Sequence, residues 1–347
     1  MKQAEDEKVI VGSGAFRFAA VGQWPVVPPG WDFQQVVDVA VDSRGRVFVL
    51  SRSENQLVVF DHEGNLLDKW DRVRLKRPHG LTIGPDDAVY CTDDFGHAVY
   101  KYSPDGALLV TLGTPKQPSD TGVPDGPGNY MMIKRSAGPF NQPTNVALSP
   151  AGEIYVSDGY RNARMHKFST DGGLLVSWGD PGTGPAQFAV PHDVAVASDG
   201  TVFVCDRENS RIQLFSPDGD ILDQWTDVVR PCNAIFDTDE NVYVTELGTR
   251  VGLFPNSKIT PGPPGGRVSI FNRQGRLLAR WGGGETPMAP DDFFAPHGIA
   301  VDGRGDLYVG EVRPGCFENS AQPPGCDTVP EGCPVLQKFV RLCDPSG

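Results

Sequence analysis

Three of the six histidines follow a proline and begin short stretches of alternating apolar residues. They are His79, His192 and His297. Three imidazoles that converge on one point form a facial set of nitrogen ligands, which suits Zn²⁺ with one coordination position open for water or substrate. The alternative is that each histidine only starts a strand and hydrogen-bonds to a neighbouring carbonyl. We predict a zinc site, because the three histidines recur at equivalent positions of a repeat.

A second set of reactive side chains lies in the turn that follows the second strand of the same repeat. Arg52, Tyr160 and Arg207 occupy this turn in three different repeats. The guanidinium group binds a carboxylate through two parallel hydrogen bonds. A phenol close to Zn²⁺ and guanidinium is favoured in its ionised form and can then act as a base. The alternative for the two arginines is an ordinary ion pair, which Glu208 makes plausible for Arg207.

The elements that must position these residues are short strands. The segment 191–225 contains four alternating apolar runs separated by turns, which predicts a four-stranded antiparallel meander. The same unit recurs six times, but the last copy lacks a fourth strand, and residues 16–24 have the form of the missing one. The sequence therefore predicts an all-β, six-bladed propeller closed by an N-terminal strand, because closure removes the exposed edges of an open array. The first strand of each blade then contributes one residue to a ring around the axis: Val37, His79, Thr144, His192, Cys232 and His297.

Composition agrees with this architecture and excludes several classes of function. The 347 residues include 41 Gly and 31 Pro, and only 9% are aromatic, which argues against a helical bundle. The net charge of −13 makes nucleic acid an improbable partner. No apolar stretch is long enough to span a membrane, and residues 1–8 do not resemble a secretory signal. We expect a soluble protein that is cytoplasmic as written, or secreted or periplasmic if a leader has been removed, which leaves the compartment open.

The chain divides into an N-terminal extension, residues 1–15, and a single propeller, residues 16–347. Three insertions rich in Gly and Pro interrupt the repeat at 114–139, 249–266 and 313–333. Loops of this length are either covers of a functional site or decoration. The seven cysteines form two groups. The first group lies in apolar strands and is expected to consist of buried thiols: Cys91, Cys205 and Cys232. The second lies near the C-terminus and is expected to form disulfides or a zinc knot: Cys316, Cys326, Cys333 and Cys343.

Several segments are similar to those of a known family. Residues 142–147, 156–160, 190–192 and 206–213 resemble the NHL-repeat propeller of the peptidyl-α-hydroxyglycine α-amidating lyases. The resemblance covers nearly the whole chain from about residue 16. It implies a zinc-dependent lyase whose catalytic tyrosine falls on Tyr160 and whose two active-site arginines fall on Arg52 and Arg207. The three zinc ligands fall on His79, His192 and His297.

The resemblance also implies a structural calcium ion, and here the chain departs from the family. Two calcium ligands would be the backbone carbonyls of Val39 and Leu81, but Gly298 replaces the aspartate that follows the third histidine. Ala295 replaces a methionine in one wall of the substrate pocket. These changes leave calcium and the acyl side of the substrate open.

The expected reaction is cleavage of the carbon–nitrogen bond of an N-acyl-α-hydroxyglycine or a related carbinolamide, which gives an amide and glyoxylate or another carbonyl compound. A separate hydroxylating oxygenase would supply the substrate. Two alternatives remain. One is a zinc-dependent hydrolase of lactones or esters, in which metal-bound water is the nucleophile. The other is a non-enzymatic NHL scaffold that binds a protein or a polysaccharide.

Overall fold

The described chain is a ring of six antiparallel sheets, or blades, whose first strands stand side by side around one axis. The structure is a computed structural model that describes residues 8–22, 24–126, 129–252, 265–313 and 329–342. The predicted all-β, six-bladed propeller is confirmed. Within the described ranges, no helix has the length and apolarity that a transmembrane span requires.

The strands follow the predicted repeat closely. The N-terminal strands and the first three blades are β1 (Ile10–Ser13) and β2 (Phe16–Val21); β3 (Val36–Val41), β4 (Val47–Ser51), β5 (Leu57–Phe60) and β6 (Leu66–Lys69); β7 (Pro78–Ile83), β8 (Val89–Asp93), β9 (Ala98–Tyr102) and β10 (Leu108–Leu112); β11 (Pro143–Leu148), β12 (Ile154–Asp158), β13 (Arg164–Phe168) and β14 (Leu174–Trp178). A short parallel pair and the last three blades follow as β15 (Asp180–Pro181) and β16 (Gln187–Phe188); β17 (Pro191–Val196), β18 (Val202–Asp206), β19 (Arg211–Phe215) and β20 (Ile221–Trp225); β21 (Pro231–Phe236), β22 (Val242–Glu246), β23 (Arg267–Phe271) and β24 (Leu277–Gly282); β25 (Pro296–Val301), β26 (Leu307–Glu311) and β27 (Leu336–Arg341).

The ring closes through the N-terminal strand, as predicted. Strand β2 pairs antiparallel with β27, with Phe18 opposite Arg341. Strand β1 folds back on β2, so blade 6 has five strands in the order β1-β2-β27-β26-β25. Part of the segment expected to be an extension therefore belongs to the sheet. The hairpin turns at Gly14, which has a positive φ, and it buries Val11 in the apolar cluster that contains Phe18.

A glycine that ends the turn after the third strand, present in blades 1–5, allows neighbouring blades to pack closely. Gly219 and Gly275 adopt φ values of +93° and +75°, which favour glycine. A Cβ atom at Gly219 would lie 2.8 Å from the ring of Trp178, and one at Gly275 would lie 2.7 Å from Nε1 of Trp225. Each tryptophan ends the fourth strand of the preceding blade. In blades 4 and 5 the Gly and Trp of the repeat therefore form the contact with the preceding blade.

The insertions and cysteines are described in part. Residues 114–139 contain a 3₁₀ turn at Tyr130–Met132 and hydrogen-bond to the start of blade 3, where the Ser119 N–H donates to the Phe140 carbonyl. Most of the other two insertions, 253–264 and 314–328, lies outside the described residues. The predicted burial of the first cysteine group is observed: Cys91, Cys205 and Cys232 are buried free thiols. Cys333 is also buried, but Cys316, Cys326 and Cys343 lie outside the described residues, so their pairing stays a prediction.

Candidate active site

A β-bulge at the start of each first strand presents one side chain to the axis. In all six blades the pairing between the first and second strands skips a residue after the first position, and in blade 2 it skips two. A bulge leaves a residue outside the ladder and re-aims its side chain. The skipped residues coincide with the ring predicted from the repeat: Val37, His79 (with Gly80), Thr144, His192, Cys232 and His297.

The three histidines meet on the axis with their proton positions fixed. The ring centroids of His79, His192 and His297 are 4.7–4.9 Å apart, and all three side chains are buried. Each Nδ1 lies 2.7 Å from a backbone carbonyl oxygen of the next blade, at Thr144, Cys232 and Val37 respectively. Because a carbonyl only accepts, Nδ1 carries the proton and donates, and Nε2 is left with a lone pair.

This arrangement fits a divalent transition metal. One ring nitrogen from each histidine lies within 4.8 Å of the others. Burial and repulsion from the other two imidazoles lower the pKa of His79 well below the usual range, and burial and the charge of Arg207 do the same for His192. Burial with the charge of Arg52 lowers the pKa of His297 to about 3. Neutral imidazoles whose second nitrogen donates to a carbonyl are the form in which histidine binds zinc. The histidine–carbonyl hydrogen bonds, considered from sequence as an alternative to metal binding, are therefore present. They are compatible with metal binding, because they use Nδ1 and leave the Nε2 lone pair for a metal.

Tyr160 lies directly over the histidines. Its hydroxyl oxygen is 2.8 Å from Nε2 of His79 and 3.1 Å from Nε2 of His192. A Cβ atom at the preceding residue, Gly159, would lie 2.1 Å from the Pro191 carbonyl oxygen, so only glycine permits this approach. Burial raises the pKa of the Tyr160 phenol, and the positive charges of nearby arginines act against that rise. A cation bound by the histidines would add to the effect of the arginines and favour the phenolate.

Arg207 reaches the same hydroxyl from blade 4 and is itself held by a buried carboxylate. Its Nη1 donates to the Tyr160 hydroxyl at 3.4 Å, and its Nε donates to Glu208 Oε1 at 2.9 Å. Arg230 donates to the same Glu208 oxygen at 2.8 Å, and to the carbonyls of Gly248 and Gly252. The ion pair considered from sequence is thus present, and it fixes the guanidinium of Arg207 against the phenol.

Arg52 approaches from blade 1, where its partners are mostly neutral. Nε donates to the Pro78 carbonyl and Nη1 to the Gln35 side-chain oxygen, both at 3.1 Å. Nη2 lies 4.0 Å from the Asp94 carboxylate, outside hydrogen-bond distance. The structure therefore brings together all six residues singled out from the sequence: His79, His192, His297, Tyr160, Arg52 and Arg207.

Sequence reasoning missed a charged pair at the same site. Arg77 binds Asp94 through Nε at 2.8 Å and Nη2 at 2.5 Å, and its guanidinium carbon lies 5.5 Å from the centroid of the Tyr160 ring. The signal was available: Asp94 follows the second strand of blade 2, which is the turn that supplies Arg52 and Arg207 in other blades.

A second polar ring lies one residue further along the first strands. The first strands are the inner edges of the blades, and side chains at this level accept from backbone N–H groups of those edges. Asp38 accepts from Val39 and Leu81, Asp193 from Val194 and Ala234, Asn145 from Val146, and Asn233 from Ile299. The amide of Asn145 also bridges the two carboxylates, at 3.3 Å from Asp38 and 2.7 Å from Asp193.

The residues present do not fit the calcium site that the resemblance implies. A Cβ atom at Gly298 would lie 2.5 Å from Asp38 Oδ1, so the Asp38 carboxylate occupies the space that a side chain at position 298 would need. The oxygens of Asp38 already accept hydrogen bonds from two backbone N–H groups and from Asn145. Calcium on the carbonyls of Val39 and Leu81, which the resemblance implies and Gly298 leaves open, is therefore not what we expect at this level.

Comparison with known proteins identifies relatives. A family model for the NHL repeat matches residues 140–168 and 188–215. The chain is 36% identical over 293 residues to NHL repeat-containing protein 3 of Homo sapiens, which covers 79% of this chain and 76% of that protein. It is 29% identical over 273 residues to peptidyl-alpha-hydroxyglycine alpha-amidating lyase 1 of Drosophila melanogaster, covering 72% of this chain and 46% of that protein. It is 31% identical to the peptidyl-glycine alpha-amidating monooxygenase of Mus musculus, covering 59% of this chain and 23% of that protein.

Similar solved structures have little sequence identity. A streptogramin B lyase structure superimposes with a TM-score of 0.57 at 13% identity, over 94% of this chain and 99% of that one. Hydrazine synthase of Kuenenia stuttgartiensis gives 0.52 at 15% identity, over 82% of this chain and 77% of that one. At such identities the likeness concerns the fold alone.

Proposed function

The chain belongs to the NHL-repeat family, with relatives named as amidating lyases, and we propose that it is a zinc-dependent carbon–nitrogen lyase. The substrate is an N-acyl-α-hydroxyglycine or a related carbinolamide, and the products are an amide and glyoxylate or another carbonyl compound. The observation that carries the proposal is the meeting of three Nε2 lone pairs with the Tyr160 hydroxyl, which Arg207 also contacts.

The protein groups divide the work of the reaction. Zinc bound to His79, His192 and His297 would act as a Lewis acid toward the substrate hydroxyl and lower its pKa. Tyr160 as a phenolate accepts the hydroxyl proton at its oxygen. The electron pair of that O–H bond forms the new carbonyl as the C–N bond breaks, and Tyr160 returns the proton to the leaving amide nitrogen.

The arginines supply positive charge where the substrate is negative. One of the two guanidinium groups, of Arg52 or Arg207, binds the carboxylate, and together they offset charge on the oxygens in the transition state. They cost no reorganisation at that moment, because hydrogen bonds to Gln35, Pro78 and Glu208 already hold them in place. An acidic protein thus has a locally positive site for an anionic substrate.

Release of glyoxylate from α-hydroxyhippurate tests the proposal. We expect the zinc-loaded protein to release it, and we expect His192→Ala to lose both zinc and activity. Tyr160→Phe should keep zinc and lose activity, because it removes only the proton acceptor. His62→Gln, in the turn between β5 and β6, is the histidine control and should keep activity, because His62 contacts Asp306 and not the three axial histidines. Release that survives a chelator or Tyr160→Phe contradicts the mechanism.

The same assay separates the alternatives. Hydrolysis of lactones or esters without glyoxylate release would support a zinc hydrolase, and substoichiometric zinc in the purified protein would support a binding scaffold. If the lyase is correct, its substrate arises by hydroxylation of the carbon next to an amide nitrogen, so we propose that an oxygenase of that class supplies it.

A further inference from the structure

Asp94 lies between two arginines that it binds unequally. Its side chain is fully buried. Arg77 makes two hydrogen bonds to it through Nε and Nη2, whereas Arg52 Nη2 stays 4.0 Å away. Phe95 holds this arrangement: its backbone N–H donates to Asp94 at 2.6 Å, and its ring centroid lies 3.8 Å from the guanidinium carbon of Arg77. Asp94 is therefore committed to Arg77.

On the other side of the site the pattern is reversed. Arg207, the arginine that contacts Tyr160, is bound directly by Glu208 at 2.9 Å. Its charge is compensated and its direction is fixed. The hydrogen bonds of Arg52 among the described residues go to two neutral oxygens. Of the two arginines at the metal centre, Arg52 is thus the one whose charge has no carboxylate within hydrogen-bond distance.

We propose that Arg77 and Asp94 are positioning residues that keep Arg52 available for the substrate carboxylate, which makes the blade 1 and blade 2 side of the site a carboxylate-recognition side. Arg207 then acts on Tyr160 and not on the carboxylate. The inference rests on the proposed function, because it names the group of the substrate that Arg52 binds. It predicts a preference for carbinolamides that carry a carboxylate next to the reacting carbon.

The physical argument concerns competition for Arg52. Two opposite charges 4 Å apart attract appreciably at the effective dielectric constant of a partly buried site. While Arg77 occupies Asp94, Arg52 gains little by moving toward it. Without Arg77, a buried and unpaired Asp94 would draw Arg52 in, because a buried charge needs a partner. A substrate carboxylate would then have lost its ligand although Arg52 itself was unchanged.

Two variants of Arg77 and Asp94 separate this account from its competitors. Arg77→Met removes the guanidinium group that pairs with Asp94. The double variant Arg77→Met with Asp94→Asn also removes the carboxylate charge that would compete with the substrate for Arg52. The measurements are KM and kcat with α-hydroxyhippurate and with N-(hydroxymethyl)benzamide, which lacks the carboxylate. Affinities of the zinc-loaded protein for hippurate and N-methylbenzamide, from calorimetry, report on carboxylate binding without turnover. Arg276→Met, at an exposed turn of blade 5, is the control.

We expect Arg77→Met to lower the preference for α-hydroxyhippurate over N-(hydroxymethyl)benzamide about tenfold. The change should appear in KM more than in kcat, because carboxylate binding is what is lost. The double variant should return to within about threefold of wild type. An equal loss for both compounds would mean a merely structural role and overturn the proposal. A double variant as poor as Arg77→Met would mean that Arg77 holds the carboxylate itself, which also overturns it. If no compound is turned over but the hippurate affinities follow the predicted order, the proposed function fails while the assignment of Arg52 stands.

Discussion

Replacing Glu208 with glutamine removes the one negative charge between two buried guanidinium groups. Glu208 and Arg230 are fully buried, and Arg207 is nearly so. Breaking a buried ion pair by removing one partner costs about 3–5 kcal/mol, because the remaining charge has no compensation. Burial raises the pKa of Glu208, but Arg230 and Arg207 outweigh it and lower that pKa from 4.5 to about 2. A difference of that size corresponds to about 3 kcal/mol, which agrees with the first figure.

The effect of Glu208 has a definite dependence on pH. Since its folded pKa lies below the unfolded one, the stabilisation is complete well above pH 4.5 and is lost as the pH falls toward 2. We expect urea unfolding of Glu208→Gln to show a free energy about 3 kcal/mol lower than wild type at pH 7, with the gap about 1 kcal/mol smaller at pH 4. Asp68→Asn, in an exposed pair with Arg72, should change it by less than about 0.5 kcal/mol. A loss below 1 kcal/mol at pH 7, or an equal gap at both pH values, would refute the reasoning.

Three further predictions concern the scaffold. Burial raises the pKa of Glu311 to about 7, so its folded pKa lies above the unfolded one and stability falls as the pH rises from about 4.5 to 7. Glu311→Gln should therefore melt at a higher temperature than wild type at pH 8, and not at pH 4. Because Asp38 and Asn145 satisfy the second polar ring without an ion, EGTA should leave the melting temperature unchanged; a fall that calcium restores would contradict this fit. Gly219→Ala should destabilise the protein by about 1–3 kcal/mol more than Gly45→Ala in urea unfolding, because both have positive φ but only Gly219 lies against a tryptophan.

The positions of the histidines were predictable because the repeat fixes them. Each blade has the same strands and turns, so aligning the starts of the first strands in sequence was enough to find a ring in space. The bulge that turns His79, His192 and His297 toward the axis was not predicted. It has no distinctive residue of its own: Val37 and Thr144 occupy the same bulge with side chains of a different kind.

Other features were missed because they depend on contacts between blades or on the ends of the chain. The role proposed for Asp94 depends on its two neighbours in space, Arg77 and Arg52. Arg77 directly precedes β7, and Arg52 comes from the neighbouring blade. Strand β1 was missed because a strand of four residues gives a weak alternating pattern. Its stability comes from Val11 packing in the cluster that contains Trp281, from another blade.

The histidine ring and the polar ring beneath it follow from one structural cause. Each first strand is the inner edge of its blade, so a bulge there can aim one side chain at the axis, and the N–H groups of that edge need side-chain partners because a buried N–H without a partner is costly. Six such groups converge here, and four side chains accept from all of them: Asp38, Asn145, Asp193 and Asn233. The carbonyls of the bulged residues meanwhile accept from histidine Nδ1, at Val37, Thr144 and Cys232. A histidine in one blade is therefore oriented by the bulged residue of the next, and three such histidines in alternate blades form the proposed metal site.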